Sequence, residues 1–146
     1  MRNSEFGVQN DLKERTKSFA LRIIGLVDSL PTGRTAEVIG RQLLRSGTSV
    51  GANYRAACRA KSVADFIAKM GIVEEEADEC IYWMELLIEA KILPLARLQP
   101  LMAEADELVA ITVSSIKTAR ANKQMRNSEC GVRSESNAER GIRSAK

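Results

Sequence analysis

Histidine is absent from this 146-residue chain. Without it no Ser-His or Cys-His nucleophile pair can form, and the Glu-x-x-His motif of di-iron bundles cannot occur. Cysteine is scarce: Cys58, Cys80 and Cys130 are an odd number, widely spaced, with no C-x-x-C pair. Neither a zinc site nor a disulfide framework is expected. Aromatic residues are only 4% of the chain, which argues against a β-sandwich or barrel. No apolar run reaches the roughly 18 residues of a membrane-spanning helix. No signal-type leader opens the sequence either, so the chain is expected to be cytoplasmic, without membrane partners. No phosphate-cradling glycine loop is present, and the many carboxylates belong to no motif that sets two across a cleft. The chain is expected not to be an enzyme, with no catalytic residue, cofactor or metal site.

Hydrophobic residues make up 45% of the chain, enough for one domain with an ordinary core. That core would be built from Leu, Ile, Val, Ala and Met. The net charge of +3 is mild and does not by itself point to nucleic acid.

Composition divides the chain into three. Residues 1–10 are polar and expected to be flexible; 11–123 form the domain; 124–146 form a basic, repeat-like tail expected to be disordered. The ends resemble each other. Met1-Arg-Asn-Ser-Glu-Phe-Gly-Val8 recurs as Met125-Arg-Asn-Ser-Glu-Cys-Gly-Val132. Units this short cannot bury a face, so they are not a solenoid. Two readings stay open: duplicated coding sequence, or a short linear motif for a partner.

Four helices are expected between the ends. In the first, about 11–29, Leu12, Phe19, Ile23, Leu26 and Leu30 form an apolar stripe, and Pro31 and Gly33 follow. The second covers about 35–60. Ser62 caps the third, with Asp65 three residues on. Phe66, Met70, Val73, Ala77, Cys80, Met84 and Leu87 carry its seam. Pro100 is expected to open the fourth, Pro94 starting only a short turn. Leu101, Ala105, Leu108, Thr112, Ser115 and Ala119 then continue the seam. Short connections make an all-α, antiparallel up-down-up-down bundle.

The second helix carries two constellations. Arg34, Arg41, Arg45, Arg55 and Arg59 fall within about 80° of one another, and Arg41 to Arg59 spans about 27 Å. Such a line suits phosphate contact. The third helix is acidic, however, and folding it back about Lys61 sets Arg45 near Asp78 and Arg34 near Glu85 and Glu89. Ion pairing is therefore the competing use of the stripe. The end with Arg55, Arg59, Lys61 and Lys69 faces only Asp65 and is where a free basic patch is expected. The second constellation is small residues. Gly47, Ser49, Gly51 and Ala52 suggest a closely approaching backbone. Asn53 is placed on the inner stripe with Ile39, Leu43, Ser46, Val50 and Ala57, where a buried Asn can fix register or oligomer state. Tyr54, Tyr82 and Trp83 are core, interface or base-stacking candidates, and packing is preferred.

The runs Leu30-Pro31, Gln42 to Tyr54, Ala64-Asp65-Phe66-Ile67 and Glu79 to Leu87 resemble the bacterial four-helix-bundle family of ribosomal-RNA intervening-sequence proteins. The likeness spans about residues 12–122. It implies a small bundle that assembles into rings, often pentamers. Related accessory proteins of diversity-generating retroelements bind nucleic acid and a reverse transcriptase. After Asn53 the chain departs from the family pattern and becomes more basic. The expected function is a self-assembling bundle that binds RNA or DNA through the basic face of the second helix, or scaffolds a nucleic-acid-processing protein. The alternative is a structural or protein–protein adaptor whose charges are used up in ion pairs.

Overall fold

The computed structural model describes the backbone of residues 2–144 and the side chains of residues 11–128. Four helices follow one another: α1 (Arg2–Asp28), α2 (Arg34–Cys58), α3 (Val63–Glu89) and α4 (Leu95–Ser144). No strand occurs among the described residues. Each helix packs on the next, and a lighter contact between α1 and α4 closes the four-helix bundle. The all-α fold expected from periodicity is the fold found. The flexible ends expected over 1–10 and 124–146 fall almost wholly outside the described side chains. The exception is 124–128, which continue α4 as exposed helix.

The core follows the three-and-four spacing of the seams. On α1 it takes Leu12, Phe19, Ile23 and Leu26; on α3, Met70, Val73, Ala77, Cys80, Met84 and Leu87. Phe66 only packs against its edge. Three polar side chains, Thr16, Ser46 and Thr112, are also buried. Each hydroxyl donates to the carbonyl four residues back: Thr16 to Leu12, Ser46 to Gln42, Thr112 to Leu108. No hydroxyl among these three is left unsatisfied, so their burial costs little. Arg15 ties α1 to α4 through Glu104 at 2.6 Å and through Glu107.

The fourth helix corrects two expectations. It begins at Leu95, just after Pro94, whose carbonyl accepts from the Arg97 N–H at 3.1 Å. Pro100 lies inside the helix and is exposed. The physical reason is Leu98, which is completely buried; a helix beginning at Pro100 would leave this residue out of the seam. The cost of Pro100 is the missing N–H that would have bonded the Ala96 carbonyl, and exposed Ala96 can turn to water instead. Further along, Ile116 rather than Ser115 takes the buried position.

Helix ends explain the turns. The Ser62 hydroxyl accepts from the Asp65 N–H at 3.0 Å, as its spacing implied. The end of α3 is a Schellman motif: the Ile92 N–H bonds the Leu87 carbonyl and the Lys91 N–H bonds the Ile88 carbonyl. The left-handed position falls on Lys91, with φ 58°. A side chain there is strained, and glycine is not. Lys91→Gly is therefore expected to raise stability by about 1 kcal/mol, read as a higher urea midpoint at unchanged slope.

Candidate functional site

The arginine stripe of α2 divides into paired and unpaired members. Arg41 meets Glu37 one turn back at 2.6 Å, in an exposed pair. Arg45 reaches across to α3, to Glu79 at 2.6 Å and Glu76 at 3.3 Å, close to the Asp78 neighbourhood expected from the fold-back. Lys69 bonds Asp65 at 2.8 Å, and Asp65 also accepts from the Lys61 backbone N–H at 3.1 Å. Arg34 does not form the expected pair with Glu85 or Glu89, and Arg55, Arg59 and Lys61 also make no side-chain ion pair among the described residues. Arg59 is also off the helix proper, as the cap residue after Cys58.

The Arg45 cluster is a structural seam. Glu79 accepts from Arg45 and from the Trp83 indole N–H at 3.1 Å. The Arg45 hydrogen bond, ahead of opposing desolvation, holds the Glu79 carboxyl below its usual range. Behind it, the buried Cys80 thiol donates to the Ser46 hydroxyl at 3.4 Å. Burial pushes this thiol up from 9.0 to about 11. Burial, aided by a hydrogen bond with Cys58, also raises the Tyr54 phenol. Both groups are held neutral in the fold. Their contribution to stability is complete below the unfolded value, 9.0 for Cys80, and is lost as pH rises towards about 11. Urea midpoints are therefore expected to fall across that alkaline window. Cys80→Ala should flatten the fall.

Of the four small residues of α2, Gly47 and Gly51 meet α1 at close range, whereas Ala52 is exposed and the Ser49 hydroxyl donates to the Arg45 carbonyl of its own helix. A methyl group on Gly47 would stand 2.8 Å from Ile23 Cγ2, and one on Gly51 3.2 Å from Thr16 Oγ1. Tyr54 is in the core at 4% exposure. Asn53 corrects the inner-stripe assignment: it is half-buried, and its Nδ2 donates to its own helix at the Ser49 carbonyl, at 2.8 Å. The 50–54–57 spacing puts Tyr54 in the inner place and turns Asn53 to the flank. Trp83 is half-buried, while Tyr82 is exposed against it, edge to face at 5.0 Å between centroids.

Arg55, Arg59 and Lys61 share one end of the bundle, while Arg34, also unpaired among the described residues, stands at the other; at the first end α4 adds cations that the seam pattern does not reveal. Arg120 and Lys123 line a groove with Ala64 and Ile67 at the start of α3. Arg126 lines a second groove with Cys58, Ser62 and Phe66. Residues 55–69 hold four cations and one carboxylate, and 117–128 hold four cations and none. The opposite end is balanced: 28–41 and 85–97 each hold two cations and two carboxylates. The run without carboxylates was the available signal. Among the described residues, no cluster of three or more His, Cys, Asp or Glu is placed to hold a metal ion, and no helix is long and apolar enough to cross a membrane.

The family model described as 23S rRNA-intervening sequence protein matches residues 9–114. A crystal structure of a protein of unknown function from the S23 ribosomal protein family of Bacteroides thetaiotaomicron is similar, with a TM-score of 0.69 and 39% identity. The match covers 73% of this chain and 98% of that one. No curated protein matches the chain.

Proposed function

The chain belongs to the 23S rRNA-intervening sequence protein family, and we propose that it is a non-enzymatic bundle that binds nucleic acid at its basic end. It works as a homo-oligomer, a pentamer by family resemblance, and can hold nucleic acid for a processing protein. One observation supports this above the others. Arg55, Arg59 and Lys61 sit without side-chain ion pairs among the described residues, at the end where cations outnumber carboxylates. Arginine donates to phosphate in a bidentate fork, and each contacted phosphate releases counterions. Arg41, Arg45 and Lys69 are already engaged. The Arg41 and Arg45 pairs favour the adaptor reading for α2 ahead of its last turns, and the Lys69–Asp65 pair leaves Arg55, Arg59 and Lys61 as the free cations of 55–69 among the described residues.

The test is RNA and DNA binding by the purified full chain across a salt series, with mass by light scattering in the same buffers. A defined oligomer is expected, whose affinity falls steeply and log-linearly with salt. An oligomer that binds neither nucleic acid even at low salt would leave the adaptor reading in its place.

A further inference from the structure

We propose that Arg120, Lys123 and Arg126 of α4 complete the binding surface, and that this surface takes the phosphate backbone of a duplex rather than a single strand. The inference rests on the nucleic-acid reading above and deepens it. Arg120 and Lys123 line one groove beside the start of α3, and Arg126 lines another. Cations therefore flank the beginning of α3 in two grooves, while Arg55 in the last turn of α2 and Arg59 at its cap stand exposed at the same end of the bundle. Segment 117–128 offers no carboxylate to neutralise them. Asp65, the one carboxylate of 55–69, is engaged by Lys69 and by the Lys61 N–H. Amides add uncharged donors: Gln124 and Asn127 line the first groove, Asn122 the second. Guanidinium, ammonium and amide donors are the set that contacts phosphate and sugar.

Among the described residues, this end has no stacking platform. Proteins that grip single strands lay bases on exposed aromatic rings. Here Tyr54 is in the core, and Phe66 is half-buried against it. The exposed ring, Tyr82, lies far along α3, packed on Trp83. Among the described residues, then, this end can hold phosphates but cannot hold unstacked bases. From Arg120 to Arg126 the α4 helix rises about 9 Å, each cation turned about 60° from the last, so that two face the first groove and one the second. Cations held on a rigid helix match the regular phosphates of a duplex better than a flexible strand, which must be ordered on binding.

Fluorescence anisotropy on the full chain tests this with an RNA duplex, the same-sequence DNA duplex and a single strand of equal length. Either duplex, and RNA and DNA are told apart by their own arms, should bind about tenfold or more tighter than the strand, as expected without stacking energy. Arg120→Ala with Lys123→Ala should weaken duplex binding and lower the slope of log affinity against log salt by about two. Arg34→Ala, at the opposite end, should change neither, and circular dichroism should show all variants equally helical. A wild type that binds duplex while the α4 double variant matches it in affinity and slope would overturn the α4 assignment and leave the proposed function standing. A preference for the single strand would overturn the duplex assignment. A wild type that binds nothing would remove the proposed function itself, and this inference with it.

Discussion

Reversing two charges at the basic end, Arg55→Glu with Arg59→Glu, is expected to weaken nucleic-acid binding by about a hundredfold or more, since each charge-assisted contact is worth roughly 1.5–3 kcal/mol. The fold should survive. Both side chains are exposed, and neither makes an ion pair with a described residue that the change would orphan. The structural cost is confined to the end of α2, where Arg55 lies in the last turn. A cation there favours the helix dipole, so its reversal costs about 0.3–1 kcal/mol. Helicity and mass by light scattering should be close to wild type. The comparison variant is Arg41→Glu, which breaks an exposed pair with Glu37. Such pairs contribute little, and this position lies far from the basic end along α2, so binding should barely change. Equal loss in both variants would mean that binding responds to net charge and not to this surface.

The second large effect concerns packing. Gly47→Ala is expected to destabilise the bundle by about 1–3 kcal/mol, although alanine is the better helix former. The added methyl would meet Ile23 at Cγ2, Cγ1 and Cβ, at 2.8, 2.9 and 3.1 Å. Ile23 is itself completely buried and cannot swing away. The reverse sign is expected at Gly71, also inside a helix but with nothing within 4 Å of an added methyl. There Gly71→Ala should stabilise by about 0.5–1 kcal/mol through helix propensity alone. A double-mutant cycle isolates the contact. Ile23→Ala opens space, so Gly47→Ala should cost less on that background than alone. Additive effects of the two substitutions would show that the α1–α2 approach is looser than described.

These cases indicate what a sequence of this kind makes legible. The helices could be read because leucine, isoleucine and methionine recur every three or four residues. The all-α bundle follows once no connection is long enough to do anything else. The Arg45 pairing could be read because two helices joined by a short turn must set acidic and basic faces together. The start of α4 could not. Pro94 and Pro100 are equally suited to a first turn, and what decides between them is whether Leu98 reaches the core, a tertiary fact. Asn53 fails for a similar reason: at the drifting edge of a helical stripe, a one-residue shift trades the inner place for the flank, and Tyr54 had more apolar surface to bury. The α4 cations do not stand out in the sequence because the periodicity of α4 marks only its apolar seam. A lysine or arginine becomes part of a surface only when the neighbours of its helix are known. Residues 117–128 gain their meaning from lying beside the start of α3.

Lysine footprinting asks the question of place directly. The full-length protein, free and saturated with duplex RNA, is acetylated briefly and each lysine is quantified by mass spectrometry. Lys61, in the turn before α3, and Lys123, in the α4 groove, should be strongly protected by the nucleic acid. Lys91, in the turn at the opposite end, should react equally in both samples. Protection of Lys91 with Lys61 and Lys123 left fully reactive would place the nucleic acid elsewhere and contradict the basic end as the binding surface.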